Sequence, residues 1–421
     1  MRSLGQSPRS LALGALLAIT ILVILVRQRG FPDVPVSVSI GGPKPPSAVS
    51  KFGKAFDRHP GGSPNYTYSY CVTSSVNENA LAHDWMPAEP ATSYYWPEKP
   101  RPRGAKYTRG LAMARTSIED VSWLDTEALD ITPYIYVVDD PNAALTVPMN
   151  KGHEVMVYLT YIIDHYTSLP DISIFMHAHR YADHNDPILR RDAVEILGRL
   201  NNDRVIHEGY VNLNCATHEG CPTILQNANA RQPWGDALLD FYTRLYPDRP
   251  APFELSQPCC AQFAVSRNRI IGTSLAQYES FREWVLQSRL SDYHSGRVWE
   301  YLWHLIFTGL EVRCPEEYRC YCDTYGICFA GPEELKVYKA LGARVHEIGK
   351  RLDEIGALVA TGLMVDGSPD AKKFAIEESA LKRKVNDYEA MQEEMRAVAI
   401  ERGKDPKLRA EVGQRGWNEG D

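Results

Sequence analysis

The chain has 421 residues, room for two or three domains and far more apolar material than one core needs, so a small disulfide-dependent scaffold is excluded. Hydrophobic residues make up 44% and charged residues 24%, the balance of a globular protein rather than a disordered one. The net charge is −7; four of the 46 Lys and Arg fall in residues 1–30, which hold no acid, so 42 basic residues face 53 acidic ones in the remainder, which argues against a nucleic-acid grip built on phosphate neutralisation.

The first predicted element is Leu11 to Val26, LALGALLAITILVILV, sixteen residues without a charge, between Arg2 and Arg9 on one side and Arg27 and Arg29 on the other. At 1.5 Å per residue a helix of this length spans about 24 Å, short against a hydrocarbon core of about 30 Å and better suited to a thin membrane such as the endoplasmic reticulum or early Golgi. The run passes from Val26 straight into Arg27 without a small-residue cleavage site, so an uncleaved signal anchor is expected over 11–26, with 1–10 as a cytosolic tail. Arginines on both sides leave orientation to be argued from elsewhere.

Cysteine supplies that argument. Nine cysteines occur, at 71, 215, 221, 259, 260, 314, 320, 322 and 328, and four fall within CPEEYRCYCDTYGIC. This spacing lacks the C-x2-C knuckle of a zinc site, and behind a membrane-targeting segment it reads as disulfide chemistry. Asn65-Tyr66-Thr67 is an N-glycosylation acceptor sequence. Together these features place residues 30–421 in the secretory lumen, as a single-pass type II protein.

Residues 30–109 are dense in Pro, Gly, Ser and Tyr and read as a stem. An α/β domain is expected over 110–330. PYIYVVDD, 133–140, reads as a buried strand, HEVMVYLTYIIDHY, 153–166, as a helix stopped by Leu169-Pro170, and DISIFMH, 171–177, as a second strand. Strand, helix, strand makes a βαβ unit with a parallel strand pair, hence a mixed, mainly parallel sheet with flanking helices. A helix over 187–200 and segments at 205–213, 259–265 and 298–307 complete this domain.

Beyond Pro332, Leu341, Val345, Ile348, Leu352, Ile355 and Val359 step 4-3-4-3-4. After Asp366-Gly367-Ser368-Pro369, a second run carries Leu381, Val385, Tyr388 and Met395 near the same seam. The pattern predicts an antiparallel helical hairpin or short coiled coil over 332–402, followed by a flexible tail, 403–421.

In an open α/β sheet ligands bind outside the carboxyl ends of the strands. Asp139 and Asp140 end the first predicted strand, where they either hold a nucleotide sugar or cap the turn before Pro141. The second ends in FMHAHRYADHND. There His177, His179 and His184 can ligate a divalent metal such as Mn²⁺ or Zn²⁺, with Asp183 and Asp186 as candidate bases, or the loop is merely solvated. In QPCCAQFAVSRNR, Cys259 and Cys260 read as structural, while Gln262 and Arg267 can contact an anionic or polyhydroxyl ligand. Over 297–307, Glu300 and His304 stand four apart on one expected helical face beside Trp299 and Trp303. A carboxylate walled by aromatics can serve as general base and Trp303 as a sugar platform, or the group is an ordinary packed helix.

Tyr134 to Ala330, about half of the chain, resembles a fungal domain family of unknown function. The landmarks are Asn150-x-Gly152-x-Glu154, YLTYIIDHY, Leu169-Pro170-Asp171, Phe175-x-His177, GYV-x-L at 209–213, CCAQFAVSR and EYLWH-x-IF at 300–307. More loosely, the order of strand, helix ending in Leu-Pro, strand, metal motif, QF-x-V-S-R strand and helix with Glu and Trp is similar to lumenal nucleotide-sugar glycosyltransferases of the A-type α/β fold. Those enzymes carry Asp-x-Asp where this chain has His177-Ala178-His179. The similarity implies a glycosyltransferase-like enzyme that uses a nucleotide sugar. The alternatives are a non-catalytic lumenal or surface protein that binds a protein partner through its helical hairpin, and a metal-dependent hydrolase.

Overall fold

The computed structural model describes residues 97–102, 104–217, 221, 234–360 and 369–414. The expected anchor (11–26), the acceptor Asn65, Cys71, the stem up to residue 96, the connection 361–368 and the end of the tail lie outside the described residues. Among the described residues no helix is long and apolar enough to cross a membrane.

In chain order the elements are β1 (Arg109–Arg115), α1 (Trp123–Thr126), β2 (Thr132–Val137), α2 (Val155–His165), β3 (Ile172–His177), a 3-10 turn (Pro187–Leu189), α3 (Ala193–Arg199), α4 (Asn202–Glu208) and β4 (Tyr210–Asn212). Then come α5 (Gly235–Leu245), β5 (Phe263–Ser266), α6 (Arg267–Ile271), α7 (Leu275–Gln287), α8 (Asp292–Glu300), α9 (Trp303–Thr308) and α10 (Glu317–Tyr325). The last are α11 (Pro332–Ala360), α12 (Pro369–Arg402) and α13 (Pro406–Val412).

The strands form one mixed sheet in the order β2-β1-β3-β5-β4. β1 is parallel to β2 and to β3, and β5 is antiparallel to β3 and β4, so four strands point one way and β5 alone runs back. The βαβ unit expected from the sequence has its helix and both strands, but β2 and β3 are not neighbours, because β1 lies between them. β1, RGLAMAR, falls where the stem was expected to end. It has no β-branched residue and no alternation to advertise it, yet Leu111, Ala112 and Met113 are fully buried, as a central strand covered on both faces must be. Gly110 is obligatory there: a Cβ would stand 2.9 Å from both the Pro170 ring and the Tyr161 hydroxyl.

Side chains alternate between two cores. Ala112, Tyr136, Phe175 and Phe263 face α2, α5, α7, α8 and α9, whereas Leu111, Met113, Ile174, Met176 and Ala264 face α3, α4, α10 and the start of α11. The folded part also begins earlier than expected. Glu98 accepts hydrogen bonds from Ser266 and Asn268, and Arg101 forks onto Asp171 at 2.7 and 3.1 Å.

The expected helix over 187–200 is a 3-10 turn and a separate α3, whose cap Asp192 accepts from the Val194 N–H. Over 205–213 the chain is first helix and then strand, turning at Gly209 with φ 71°. The expected helix over 297–307 breaks at Tyr301 and Leu302 into α8 and α9.

Among the described residues four disulfides join Cys215 to Cys320, Cys221 to Cys314, Cys322 to Cys328 and Cys259 to Cys260. The first two close loops of about one hundred residues (separations of 105 and 93), worth roughly 4–5 kcal/mol each in the chain-entropy account.

α11 and α12 lie side by side with contacts in opposite senses: Gln392 donates to the Tyr338 carbonyl at 2.9 Å, and Arg351 pairs with Glu377 at 2.8 Å. Leu341, Ile355 and Met395 of the expected seam are buried. The pair is fastened to the α/β domain, since the buried Arg396 donates to the Ile188 carbonyl at 2.9 Å and pairs with Glu195 of α3. Part of the expected tail is ordered as α13, which holds α10 through a 3.0 Å hydrogen bond from Arg409 to the Asp323 carbonyl.

Candidate functional site

Because four strands share a direction, the loops after β1, β2, β3 and β4 emerge at one edge of the sheet, and β5 starts there. After β2, Asp139 accepts from the Ser117 N–H at 2.7 Å and its hydroxyl at 2.8 Å, bonds that hold its carboxyl below the usual range. Asp140 accepts from the Asn142 N–H at 2.9 Å, which is the turn-capping role. Asp139 therefore ties the β1 and β2 loops together. Near it stands Arg115 at the end of β1, whose Nε has no hydrogen-bond partner among the described residues.

After β3, the rings of His177 and His184 are 4.9 Å apart. Gln262, buried at the approach to β5, braces both: its carbonyl oxygen accepts from the His177 N–H at 3.0 Å, and its amide donates to the His184 carbonyl at 3.1 Å and to Asn185 Oδ1 at 3.0 Å. The residue expected to touch ligand thus holds the histidine loop in place. Burial, with His184, His179 and His153 adding to it, pushes His177 down to about 3, so its imidazole is neutral at physiological pH.

His179 turns away to Glu119, 3.3 Å off, and the exposed Asp183 pairs with Arg191 at 3.0 Å. Asp186 is fully buried and accepts from the Ile188 and Cys215 N–H groups at 2.9 Å and from the Tyr321 hydroxyl at 3.0 Å; burial raises its carboxyl to about 6. It is a strut of the interior, out of reach of a loop-bound ligand.

Among the described residues, no group of three or more His, Cys, Asp or Glu side chains is arranged to hold a metal ion. The three histidines expected to ligate Mn²⁺ or Zn²⁺ divide into a facing pair and a separate His179–Glu119 contact. Among the described residues these side chains do not form a site for the expected metal.

The break between α8 and α9 separates Glu300 from His304, which the expected continuous helix would have placed on one face. Glu300 is ion-paired to Arg297 at 2.5 Å. His304 is fully buried, its Nε2 2.9 Å from the Glu311 carbonyl, and burial pushes it down to about 4. Trp303 is also fully buried, parallel to Phe307 and tilted against Trp299 and Tyr158. Both belong to the core and neither offers a sugar platform. Arg267 lies at the opposite edge of the sheet, where its Nε donates to the Pro170 carbonyl at 3.3 Å, because β5 is antiparallel to β3 and delivers its last residues beside the first of β3.

The structure adds two residues that sequence reasoning did not select. The loop before α2 carries Gly152 with φ +76° and His153 with φ 54°, and it presses so closely on α8 that a Cβ at Gly296 would stand 2.5 Å from the His153 ring. The His153 N–H donates to Asp292 at 3.1 Å, with the ring 3.6 Å from the same carboxylate. The next residue, Glu154, is buried, and burial, with the Glu300 and Asp292 carboxylates nearby, raises its carboxyl to about 8. An acid standing directly before an otherwise apolar helix was the available signal. The carboxyl edge therefore combines a protonated acid, a carboxylate held by an arginine and a neutral imidazole, groups of unlike readiness to donate and accept a proton.

Residues 111–323 match the family described as "Protein of unknown function (DUF3431)", and the chain belongs to this family. No curated protein and no solved structure matches the chain.

Proposed function

We propose that this DUF3431 protein is a single-pass lumenal enzyme of the glycosyltransferase-like class, which moves a sugar from a nucleotide sugar to a hydroxyl acceptor at the carboxyl edge of its sheet. The observation that carries the reading is Glu154, a buried carboxyl raised to about 8 within the electrostatic reach of Glu300. Two carboxyl groups with unlike surroundings can divide acid and base duties. In this reading Glu300 takes the proton of the acceptor hydroxyl as its oxygen bonds to the anomeric carbon. The bond from that carbon to the diphosphate oxygen breaks, and Glu154 protonates the departing oxygen. Arg297, paired with Glu300, holds that carboxylate in its ionised form, as a base must be.

Further support comes from the order of elements, with α2 ending before Leu169-Pro170, β3 leading into the histidine loop, QFAVSR forming the reversed β5 and Glu300 closing α8. Four disulfides suit the oxidising lumen of the endoplasmic reticulum or Golgi that a type II anchor would imply.

The test is release of nucleoside diphosphate from a panel of nucleotide sugars by the full chain, with and without added divalent cation. Turnover of one donor, reduced at least a hundredfold by Glu154→Gln, is expected. Absence of turnover and of binding with every donor would overturn the reading.

A further inference from the structure

The bond between the neighbours Cys259 and Cys260 differs from the other three disulfides among the described residues, and we propose that it is a reversible redox site: a dithiol reductant opens it ahead of the others, and its opening releases the brace that Gln262 places on His177 and His184. This goes beyond the transferase reading and does not rest on it.

The four bonds differ in what folding does for them. Cys215–Cys320 and Cys221–Cys314 span 105 and 93 residues, so each restrains the unfolded chain strongly, and by linkage the folded state protects each bond to the same extent. Cys322–Cys328 spans six residues, with both cysteines buried. A bond between neighbours closes no loop of chain, so folding gives it no such protection. Its backbone carries the opposite sign, since Cys260 is held at φ 74°, a region that non-glycine residues occupy at a cost. Opening the ring frees Cys260 to leave that region. Cys259 is exposed and Cys260 half-buried, so a thiolate can reach the bond from solvent. Cys314 is exposed as well, and the long loop behind it is what sets its bond apart.

The step is ordinary thiol–disulfide exchange. One thiolate of the reductant attacks the Cys259 sulfur, the Cys259–Cys260 bond breaks, and Cys260 leaves as a thiolate that takes up a proton. The second thiol of the reductant then attacks the first sulfur of its own molecule in the mixed disulfide, and Cys259 leaves and is protonated in turn. The protein gains two electrons and two protons, and the reductant, now a disulfide, has lost them.

The position of the pair gives this step a consequence. Asn212 donates to the Pro258 carbonyl at 3.0 Å and the Cys260 carbonyl at 3.5 Å, and Asn214 donates to Cys259 Sγ at 3.5 Å, which ties the closed ring to the end of β4. On the other side Ala261 alone separates it from Gln262, whose side chain accepts from the His177 N–H at 3.0 Å and donates to the His184 carbonyl at 3.1 Å. The left-handed turn at Cys260 therefore sets the direction in which the chain enters β5 and in which the Gln262 amide meets the histidine loop. With the ring open, Asn214 loses a fixed acceptor, Cys260 can rotate, and the His177 N–H loses a partner held in place.

The full chain in detergent is equilibrated in mixtures of reduced and oxidised dithiothreitol. Free thiols are trapped by alkylation and mapped by mass spectrometry, and hydrogen exchange is followed on the peptide that holds His177 and His184. Cys259 and Cys260 should be alkylated at a reductant ratio about tenfold below that which opens any other disulfide. In that state exchange on the histidine peptide should quicken about fivefold, with the β1 peptide unchanged, and oxidised dithiothreitol should restore the slow rate. Cys259→Ser/Cys260→Ser, with the wild-type circular dichroism, should show the fast rate without reductant. Opening together with or after another disulfide overturns the proposal, and so does opening with exchange on the histidine peptide unchanged. Should the variant not fold, the wild-type titration decides by the same two results. Neither readout needs turnover, so failure here leaves the transferase reading standing, and failure of every nucleotide sugar leaves this redox site standing.

Discussion

The side chain of Gln262 and the backbone of His177 are joined at 3.0 Å across the ends of two antiparallel strands, and the same amide reaches the His184 carbonyl. One side chain thereby sets both members of the facing histidine pair. Gln262→Leu keeps the volume but strands two backbone groups and Asn185 in a mostly enclosed place. A loss of about 2–4 kcal/mol in urea unfolding is expected, and a loss below 0.5 kcal/mol would show that the brace is dispensable.

Glu154 makes stability fall with pH. Its folded value of about 8 lies above the ordinary 4.5, so the native state binds the extra proton between these limits; the group's contribution is whole below 4.5 and is lost as pH rises through 8. Glu154→Gln, neutral throughout, should match the wild type near pH 4 and melt higher above pH 8. Thermal melting across pH 4–9 checks this, and parallel curves would contradict it.

Asp186 carries the same sign over a narrower window, from its ordinary 3.8 to about 6. Its structural weight is larger, because two backbone N–H groups and the Tyr321 hydroxyl converge on it. Asp186→Ala leaves all three unpaired in the interior and is expected to cost about 3–5 kcal/mol, whereas Asp186→Asn, which keeps one acceptor oxygen, should cost less. Urea unfolding at pH 7 gives the order, and equal losses would be inconsistent with this hydrogen-bond account.

The helices beyond the family match are part of the folded unit by way of Arg396, which is buried and paired with Glu195. Arg396→Ala leaves Glu195 short of a partner and should lower stability by about 3 kcal/mol. A chain ended after Ala330 also uncovers the buried Ile327, Cys328 and Phe329, and is expected to unfold at a markedly lower urea concentration or to aggregate. If it retains the wild-type midpoint, the helices are an appendage.

A non-catalytic reading has one observation behind it, the exposure of Val359 and Ile376 on α11 and α12. If a protein partner binds there, Val359→Asp/Ile376→Asp should abolish co-purification while leaving the melting midpoint within a few degrees; retained co-purification would remove this reading.

The legible parts of the fold were those whose neighbours in sequence are also their neighbours in function. β2, α2 and β3 show in the periodicity of PYIYVV, HEVMVYLTYII and DISIFM because each buries a face that local spacing defines. β1 did not, since RGLAMAR has neither β-branched residues nor alternation, and only its position between two strands makes it central. The histidine loop was located from its place after a strand, but the direction of each ring was not. His179 found Glu119 and Asp183 found Arg191, partners that sequence spacing does not announce.

By itself, then, the sequence determined the α/β class, the cysteine chemistry and the edge of the sheet where polar residues gather, because residue type, alternation and strand direction are local properties. Tertiary structure alone decided which cysteines pair, that Trp303 and His304 belong to the core while Arg267 stands at the far edge, and that Glu154 shares its surroundings with Glu300. The reason is physical: solvation and electrostatic environment depend on what other elements bring within a few ångströms, and Glu154 and Glu300 are brought together only after the chain between them has folded into the sheet and its covering helices.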